Sequence, residues 1–358
     1  MPKHRVAVLM SGGVDSSVAA LVLKRQGFDV FGITIKVWQE ECEKVQRENC
    51  CGPRAVADAR RVCEVLDIPF YLLNYSREFK EDVIDYFCAE YRRGRTPNPC
   101  IVCNQKLKFG RLLARARELG AAKIASGHYA SIEERYDGGV SKFSLRKGKD
   151  AKKDQSYFLF ELAQDQLCDI LFPVGGMDKA AVRGLAAGAG LPVHDKPDSV
   201  EICFIPGDDY KAFLSAQGIA MPSGKIVDTS GKVVGRHNGI HLYTVGQRKG
   251  IGVAAKKPYY VVRIDPRENT VVVGGNDDLL VKEFVVEMPH WIACGGPQTS
   301  LCVDAKIRYN APAVPAVVHP AGKAKVRVVF EEPQRAVTPG QAAVFYQGEF
   351  VLGGGWIA

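Results

Sequence analysis

The sequence lacks any apolar run of the ~18 residues needed to cross a bilayer, which excludes a hydrophobic membrane helix. It lacks an apolar leader: Pro2-Lys3-His4 runs straight into a strand-like stretch, so a cytoplasmic location is expected. Internal repeats and low-complexity tracts are missing too, which excludes solenoid and tail-like architectures. In a chain expected to stay in the cytoplasm, the 11 cysteines do not read as a disulfide framework. Their reading shifts to metal, redox or nucleophilic roles.

What is present is the composition of a globular protein: 358 residues, 46% hydrophobic and 25% charged. Such a length predicts two or three domains. The net charge of +8 is unevenly placed. Residues 92–153 hold 16 Lys and Arg against 5 Asp and Glu, a local excess larger than that of the whole chain. An excess of this kind suits a polyanion such as nucleic acid, or else forms a solvated basic face.

Apolar runs at 6–10, 30–35, 70–74 and 123–126 alternate with helical patterns at 16–26, 54–66, 79–91 and 105–119. This alternation predicts right-handed βαβ units around a parallel sheet. A ligand would then sit at the carboxyl ends of the strands. A hairpin is expected across Asp137-Gly138-Gly139, and helical patterns resume at 164–171 and 179–189. Past 206, glycines and prolines punctuate short strand-like runs at 225–228, 232–235, 259–264 and 270–273. A last set at 301–308, 314–319, 325–330, 342–346 and 350–353 suits a compact barrel. The expected fold class is α/β: a parallel-sheet domain at 1–205, a small β-rich domain at 206–280 and a β-barrel at 281–358. Two long connections, 38–53 and 94–104, mark functional or mobile loops; the first holds Cys42, Cys50 and Cys51.

The stretch Ser11-Gly12-Gly13-Val14-Asp15-Ser16-Ser17 follows the first apolar run and opens a helical one. Two glycines let a ligand approach the backbone, and a helix start offers unpaired N–H groups and a positive dipole end. That suits a phosphate. The Gly-Lys-Ser/Thr ending of a Walker A loop is missing. SGGxDS instead resembles the pyrophosphate loop of ATP pyrophosphatases, which split ATP between its α- and β-phosphates.

The second long connection reads Gly94-Arg95-Thr96-Pro97-Asn98-Pro99-Cys100-Ile101-Val102-Cys103-Asn104. Its two prolines predict a stiff non-helical segment. Cys103 is expected just before a helix capped by Asn104, where the dipole and Lys106, Lys108 and Arg111 favour a thiolate. Cys203 lies a hundred residues further on, and spacing alone does not pair the two. Cys100, Cys103 and Cys203 form a C-x-x-C with one distant cysteine. Three thiolates with an open position suit a 4Fe–4S cluster, whereas zinc would want a fourth Cys or His. Cys50, Cys51 and Cys63 are candidate extra ligands or resolving thiols.

SGGVDSS, GRTPNPCIVCN, SGHYA, KDQSYFLF, ICFI, GQRKGIG and TPGQAAVFY occur in that order over the whole length. Together they are specific, and the chain resembles the bacterial tRNA-specific 2-thiouridylases (tRNA-uridine 2-sulfurtransferases) of the PP-loop superfamily. The resemblance implies a HUP-like adenine-nucleotide-binding domain ahead of the two β domains. It implies 2-thiolation of the wobble uridine in tRNAs for Lys, Glu and Gln. ATP would adenylate the 2-oxygen and release pyrophosphate; a sulfur carried on the enzyme would then attack carbon 2 and expel AMP.

By the same resemblance, Ser11, Gly12, Gly13, Val14, Asp15, Ser16 and Ser17 bind the pyrophosphate of ATP. Asp15 helps hold Mg²⁺, and Met10, Ile35 and Gly127 line the adenosine site. Cys103 is the nucleophile and Cys203 carries the persulfide, with a disulfide between them as intermediate. Asn98, Pro99 and Cys100 meet the target base, while His128, Lys153, Asp154, Gln155, Arg308, Tyr309 and Gln341 contact tRNA. The partners implied are tRNA and a sulfur-relay carrier or cysteine desulfurase, with no membrane, and the chain is expected to act as a monomer. Better-known members have Asp where Cys100 stands, so persulfide and cluster-bound sulfide both stay open as sulfur sources. The rival readings are an amide-forming PP-loop ligase of the argininosuccinate or GMP synthetase kind, which needs no reactive cysteine, and a non-catalytic RNA-binding protein.

Overall fold

The computed structural model describes residues 4–37, 52–137, 140–198, 202–205, 207, 209–254, 257–292, 295–322 and 324–358. The expectations for Cys42, Cys50, Cys51 and the Gly138-Gly139 turn lie outside them.

The apolar alternation builds a five-stranded parallel sheet. Its strands are β1 (Arg5–Leu9), β2 (Asp29–Lys36), β3 (Phe70–Asn74), β4 (Lys123–Ala125) and, later in the chain, β7 (Ile170–Leu171). Their order is β3-β2-β1-β4-β7. β1 is central, and Val6, Ala7 and Val8 are fully buried, as a strand covered on both faces requires. Helix α1 (Val14–Arg25) packs on α8 (Lys179–Gly188), and α2 (Pro53–Val65) on β2 and β3. Val18, Ala19, Val62, Val182 and Leu191 share one buried cluster with the sheet. Chain order switches direction between β1's neighbours, β2 and β4. In such sheets the crevice at that switch, outside the carboxyl ends, is where ligands bind.

By packing, the chain divides into two units. The first is Met1–Val83, Cys100–Asp208 and Glu349–Val351. Besides the sheet it holds the hairpin β5 (Ala130–Asp137) and β6 (Val140–Lys147), with Phe350 and Val351 paired to Arg146 and Leu145. The second is Ile84–Pro99, Asp209–Gly348 and Leu352–Ala358. It holds a four-stranded sheet of β8 (Gly224–Asp228), β9 (Val233–His237), β10 (Tyr260–Asp265) and β11 (Thr270–Gly274). It also holds β12 (Leu280–Trp291), β13 (Leu301–Lys306), β14 (Val314–Pro320), β15 (Lys325–Arg335), β16 (Ala342–Gln347) and, from Leu352 on, β17 (Phe350–Ile357). β12 pairs with β17 as well as β15, closing the barrel around Val286, Val318, Val328 and Phe345.

One sequence expectation is corrected and two elements are added. The helical pattern at 164–171 ends after Leu167, in the short helix α7 (Gln164–Leu167). Ile170 and Leu171 instead pair with Ile124 and Ala125, because an open sheet edge outweighs local preference in a two-residue apolar run. The β-rich region past 206 opens with one helix that has no expected counterpart: α9 (Tyr210–Ala216) starts where the Asp209 side chain accepts the Ala212 N–H at 3.0 Å. The twelve-residue β12 had no expected counterpart.

Candidate active site

The glycine turn lies at the switch crevice. Met10 leaves β1 buried, its carbonyl accepting Thr34 Oγ1 at 2.7 Å. Gly12 has φ +70°, and a Cβ there would lie 2.2 Å from the Ala55 carbonyl oxygen. Only glycine fits that left-handed, crowded position. Gly13 caps α1, and its carbonyl accepts Ser16 Oγ at 3.1 Å and Ser17 Oγ at 2.8 Å. The Ser11 N–H donates to Ser16 Oγ at 3.2 Å. The buried Val14 anchors this helix start in the core. From the other side of the crevice comes Gly127, after β4, where a Cβ would lie 2.5 Å from the Ser16 nitrogen. Ile35 is half-buried on β2.

Three side chains that no local signal flags also reach the turn. Tyr129 Oη donates to Asp15 Oδ1 at 2.8 Å; burial, with Asp15 close by, pushes its phenol pKa up, so it remains a donor. Lys179 Nζ contacts both Asp15 oxygens, at 2.7 and 2.8 Å, and Asp198 Oδ1 at 2.8 Å. Lys196 Nζ donates to the Gly12 carbonyl at 2.9 Å and to Asp58 Oδ2 at 2.6 Å. Asp198 also takes Lys153 at 2.7 Å and Arg183 at 2.9 Å. Burial raises the pKa of Asp198, but hydrogen bonds from Lys153 and Lys179 outweigh it and hold the carboxyl down at about 2.

The cysteine segment departs from expectation. Pro99 does not interrupt a helix; it starts one, α5 (Pro99–Val102). Its missing N–H is one that a first helical turn leaves unpaired anyway. The run continues in wide π-type turns over Cys103–Arg111 and ends in α6 (Leu112–Glu118). Cys103 is therefore inside the helical run and buried, while Cys100 is exposed at its start. Asn104 is no cap: its Nδ2 donates to the Phe158 carbonyl at 3.1 Å. The short helix α3 (Ser76–Phe79) packs against Cys103–Arg111, and Phe204, next to Cys203, meets the Phe79 ring at 5.6 Å. Phe79 thus belongs to an element touching the Cys103 segment and itself touches the Cys203 segment. Cys203 is half-buried. Cys63 is a core residue, its thiol pushed up to about 12 by burial and by Glu64.

No three His, Cys, Asp or Glu side chains among the described residues converge as a metal-holding set. Exposed Cys100, buried Cys103 and half-buried Cys203 form no such set, and as arranged here they do not fit a 4Fe–4S cluster. Mg²⁺ needs only one or two carboxylates when phosphate oxygens complete its shell. Asp15 at the turn fits that requirement.

The expected tRNA contacts divide between the two units. His128 Nδ1 lies 2.7 Å from Ser126 Oγ, with the ring flanked by Phe109 and Phe172 at 5.8 and 5.9 Å. Burial, with Lys108 near, holds its pKa well below the usual imidazole value, so the ring is neutral. Asp154 is 7% exposed and its oxygens accept the Gly148 and Ser156 N–H groups and Ser156 Oγ. Gln155 Oε1 accepts the Tyr129 N–H at 3.0 Å. In the second unit, Arg308 donates to the carbonyls of Arg335 and Ala336, and Lys306 lies over the Tyr309 ring. Gln341 Nε2 donates to the carbonyls of Thr96 and Pro97, at 2.9 and 3.2 Å, just ahead of the half-buried Asn98.

A glycine turn between a central parallel strand and a buried helix, with a second glycine loop facing it, defines a nucleotide-binding α/β enzyme domain. Residues 4–207 match the tRNA methyl transferase HUP domain, 211–275 the tRNA methyl transferase PRC-barrel domain and 281–357 the aminomethyltransferase beta-barrel domain. A tRNA-specific 2-thiouridylase MnmA of Lachnoclostridium phytofermentans is 49% identical over 99% of each chain. One of Clostridioides difficile is 46% identical over 99% of this chain and 98% of its own. A solved 4-thiouridine synthetase–RNA complex with bound ATP is 18% identical with a TM-score of 0.35, covering 60% of this chain and 50% of that one, a likeness that adds nothing to the assignment. The chain belongs to the tRNA-specific 2-thiouridylase family.

Proposed function

We propose that this chain is an ATP-dependent tRNA-uridine 2-sulfurtransferase acting on the wobble uridine. The observation that carries the reading is full-length identity near one half to named 2-thiouridylases, together with a glycine turn shaped for phosphate at the sheet's switch point. The turn N–H groups and the α1 dipole would take the phosphates of ATP, and Asp15 would hold Mg²⁺, which neutralises phosphate charge. Adenylation converts the uridine 2-oxygen into a leaving group. A persulfide on Cys203 then attacks carbon 2 through its outer sulfur, and AMP departs. The Cys103 thiolate attacks the Cys203 sulfur, breaking the S–S bond, so that one sulfur stays on the base and a Cys103–Cys203 disulfide forms. An external thiol returns both cysteines to the reduced state. A cysteine desulfurase or relay carrier would reload Cys203.

We assign catalysis to 1–205 and tRNA gripping to 281–358, with 206–280 between them, in a monomer. The neutral His128 suits hydrogen bonding and stacking rather than phosphate pairing. The test supplies purified protein with a wobble-uridine tRNA, ATP and a persulfide donor. Expected are AMP, pyrophosphate and a nucleoside bearing sulfur in place of one oxygen. ATP splitting that leaves the tRNA unthiolated would overturn the assignment.

A further inference from the structure

The proposed chemistry ends each cycle with a disulfide between Cys103 and Cys203, and one of its two sulfurs is hard to reach. Cys103 is 8% exposed, inside the helical run. A reductant from solution would have to work at the half-buried Cys203, the thiol that must next be reloaded. Thiol–disulfide exchange needs access to the attacked sulfur, so a second thiol of the chain beside Cys103 would ease the reset. Cys63 and Cys88 do not suit: both are core residues, and burial with Glu64 pushes the Cys63 thiol up to about 12. Cys100 does. Pro99 starts the run, Cys100 is exposed in its first turn, and Cys103 follows one turn later. Residues three apart on a helix share a face, with Cβ atoms about 5–6 Å apart. A disulfide needs about 3.5–4.5 Å, so the turn has to tighten by roughly 1–2 Å. The change falls in the first turn, whose N–H groups have no intrahelical partners to lose. A C-x-x-C beside a βαβ pattern is also the spacing of dithiol redox motifs.

We propose that Cys100 is the resolving thiol of the sulfur-transfer cycle: it carries the disulfide from the Cys103–Cys203 pair to the surface. This rests on the persulfide reading above. The Cys100 thiolate attacks the Cys103 sulfur. The bond between Cys103 and Cys203 breaks, its electron pair leaves on Cys203, and a Cys100–Cys103 disulfide forms. That step neither gains nor loses electrons, and it returns Cys203 as a thiolate able to take a new sulfur. An external dithiol then attacks the exposed Cys100 sulfur, and Cys103 leaves as a thiolate. The second external thiol displaces Cys100, so the two reducing electrons come from that dithiol. The partner for this step is a dithiol reductant of exposed protein disulfides, distinct from the sulfur donor.

The test takes persulfide-loaded wild type and Cys100→Ser through one turnover with a wobble-uridine tRNA and ATP, without reductant. Acid quench, thiol blocking and mass mapping then locate the disulfide. Wild type is expected to hold Cys100–Cys103, and Cys100→Ser to hold Cys103–Cys203. With limiting dithiol, the second turnover of Cys100→Ser should be slow relative to its own first, and excess dithiol should remove that lag. A variant merely weakened at the target base would be slow in its first turnover too and would not respond to reductant. Wild type that holds only Cys103–Cys203 after one turnover would overturn the proposal. So would a second turnover of Cys100→Ser that matches its first at limiting dithiol, or iron bound by anaerobically purified wild type and lost in Cys100→Ser. Should Cys100→Ser fail to fold, the wild-type map decides alone. Thiolation that leaves no disulfide in either protein would reject the persulfide reading itself, an outcome distinct from a disulfide found in the wrong place.

Discussion

Single residues set the limits of the nucleotide site. A methyl group at Gly127 would lie 2.5 Å from the Ser16 nitrogen, and one at Gly12 would meet the Ala55 carbonyl at 2.2 Å. Backbone cannot yield as a flexible side chain does. Gly127→Ala is therefore expected to cost about 1–3 kcal/mol and to raise the KM for ATP, measurable by denaturant melts and pyrophosphate release. The motif at 11–17 was legible in sequence because its chemistry is local: turn, glycines and helix start are neighbours. Lys179, Tyr129 and Lys196 were not, because only the closing of the sheet brings them to the turn. His128 contributes a pH dependence. Its folded pKa is held below the unfolded value, so its stabilising contribution is complete above about 6.5 and is lost as pH falls below that. His237 and His241, lowered mainly by burial, act in the same direction. Melting temperature should decline from neutral toward acid pH, and His128→Gln should flatten that slope.

At the level of elements, the helical run from Pro99 to Glu118 shows what a sequence reading weighs wrongly. Proline signals a break inside a helix but is welcome at its first position. A loop stiffened by both prolines would put the helix start beyond Cys103 and make Asn104 its cap. The structure instead buries Asn104 at 2% exposure and points its amide at the Phe158 carbonyl. Asn104→Ala would remove that hydrogen bond and is expected to cost about 0.5–1.5 kcal/mol, seen as an earlier denaturant midpoint. The wide turns at Cys103–Arg111 fit the tendency of π-type geometry to occur at functional sites. Gln341 shows the converse. It reads as a tRNA contact, yet its amide holds the Thr96 and Pro97 carbonyls ahead of Asn98. Gln341→Ala should raise the KM for tRNA several-fold while leaving that for ATP unchanged. The opposite split would show that this tie does not serve the RNA.

For the whole molecule, the α/β opening and β-rich remainder were legible from periodicity, since buried parallel strands and turn-punctuated antiparallel strands pattern differently. Closure of the barrel was not, because β12 gains its meaning only from two distant partners, β15 and β17. Charge behaves similarly. Part of the basic excess at 92–153 is offset by carboxylates from outside that stretch: Arg111 pairs with Asp82, Arg117 with Asp169, Lys153 with Asp198 and Arg93 with Glu90. The outward field is weaker than the sequence count. tRNA affinity should still fall about tenfold or more between roughly 50 and 200 mM salt, as phosphate contacts release counterions.

In the proposed mechanism, nucleotide splitting and sulfur delivery fall to different residues. The most direct measurement is a single-turnover reaction of Cys203→Ser protein with tRNA, ATP and a persulfide donor, following pyrophosphate and the modified nucleoside together. Pyrophosphate release with accumulation of adenylated tRNA and no thiolated base is the expected result. Formation of 2-thiouridine by that variant, from the same donor and at the wild-type rate, would contradict it.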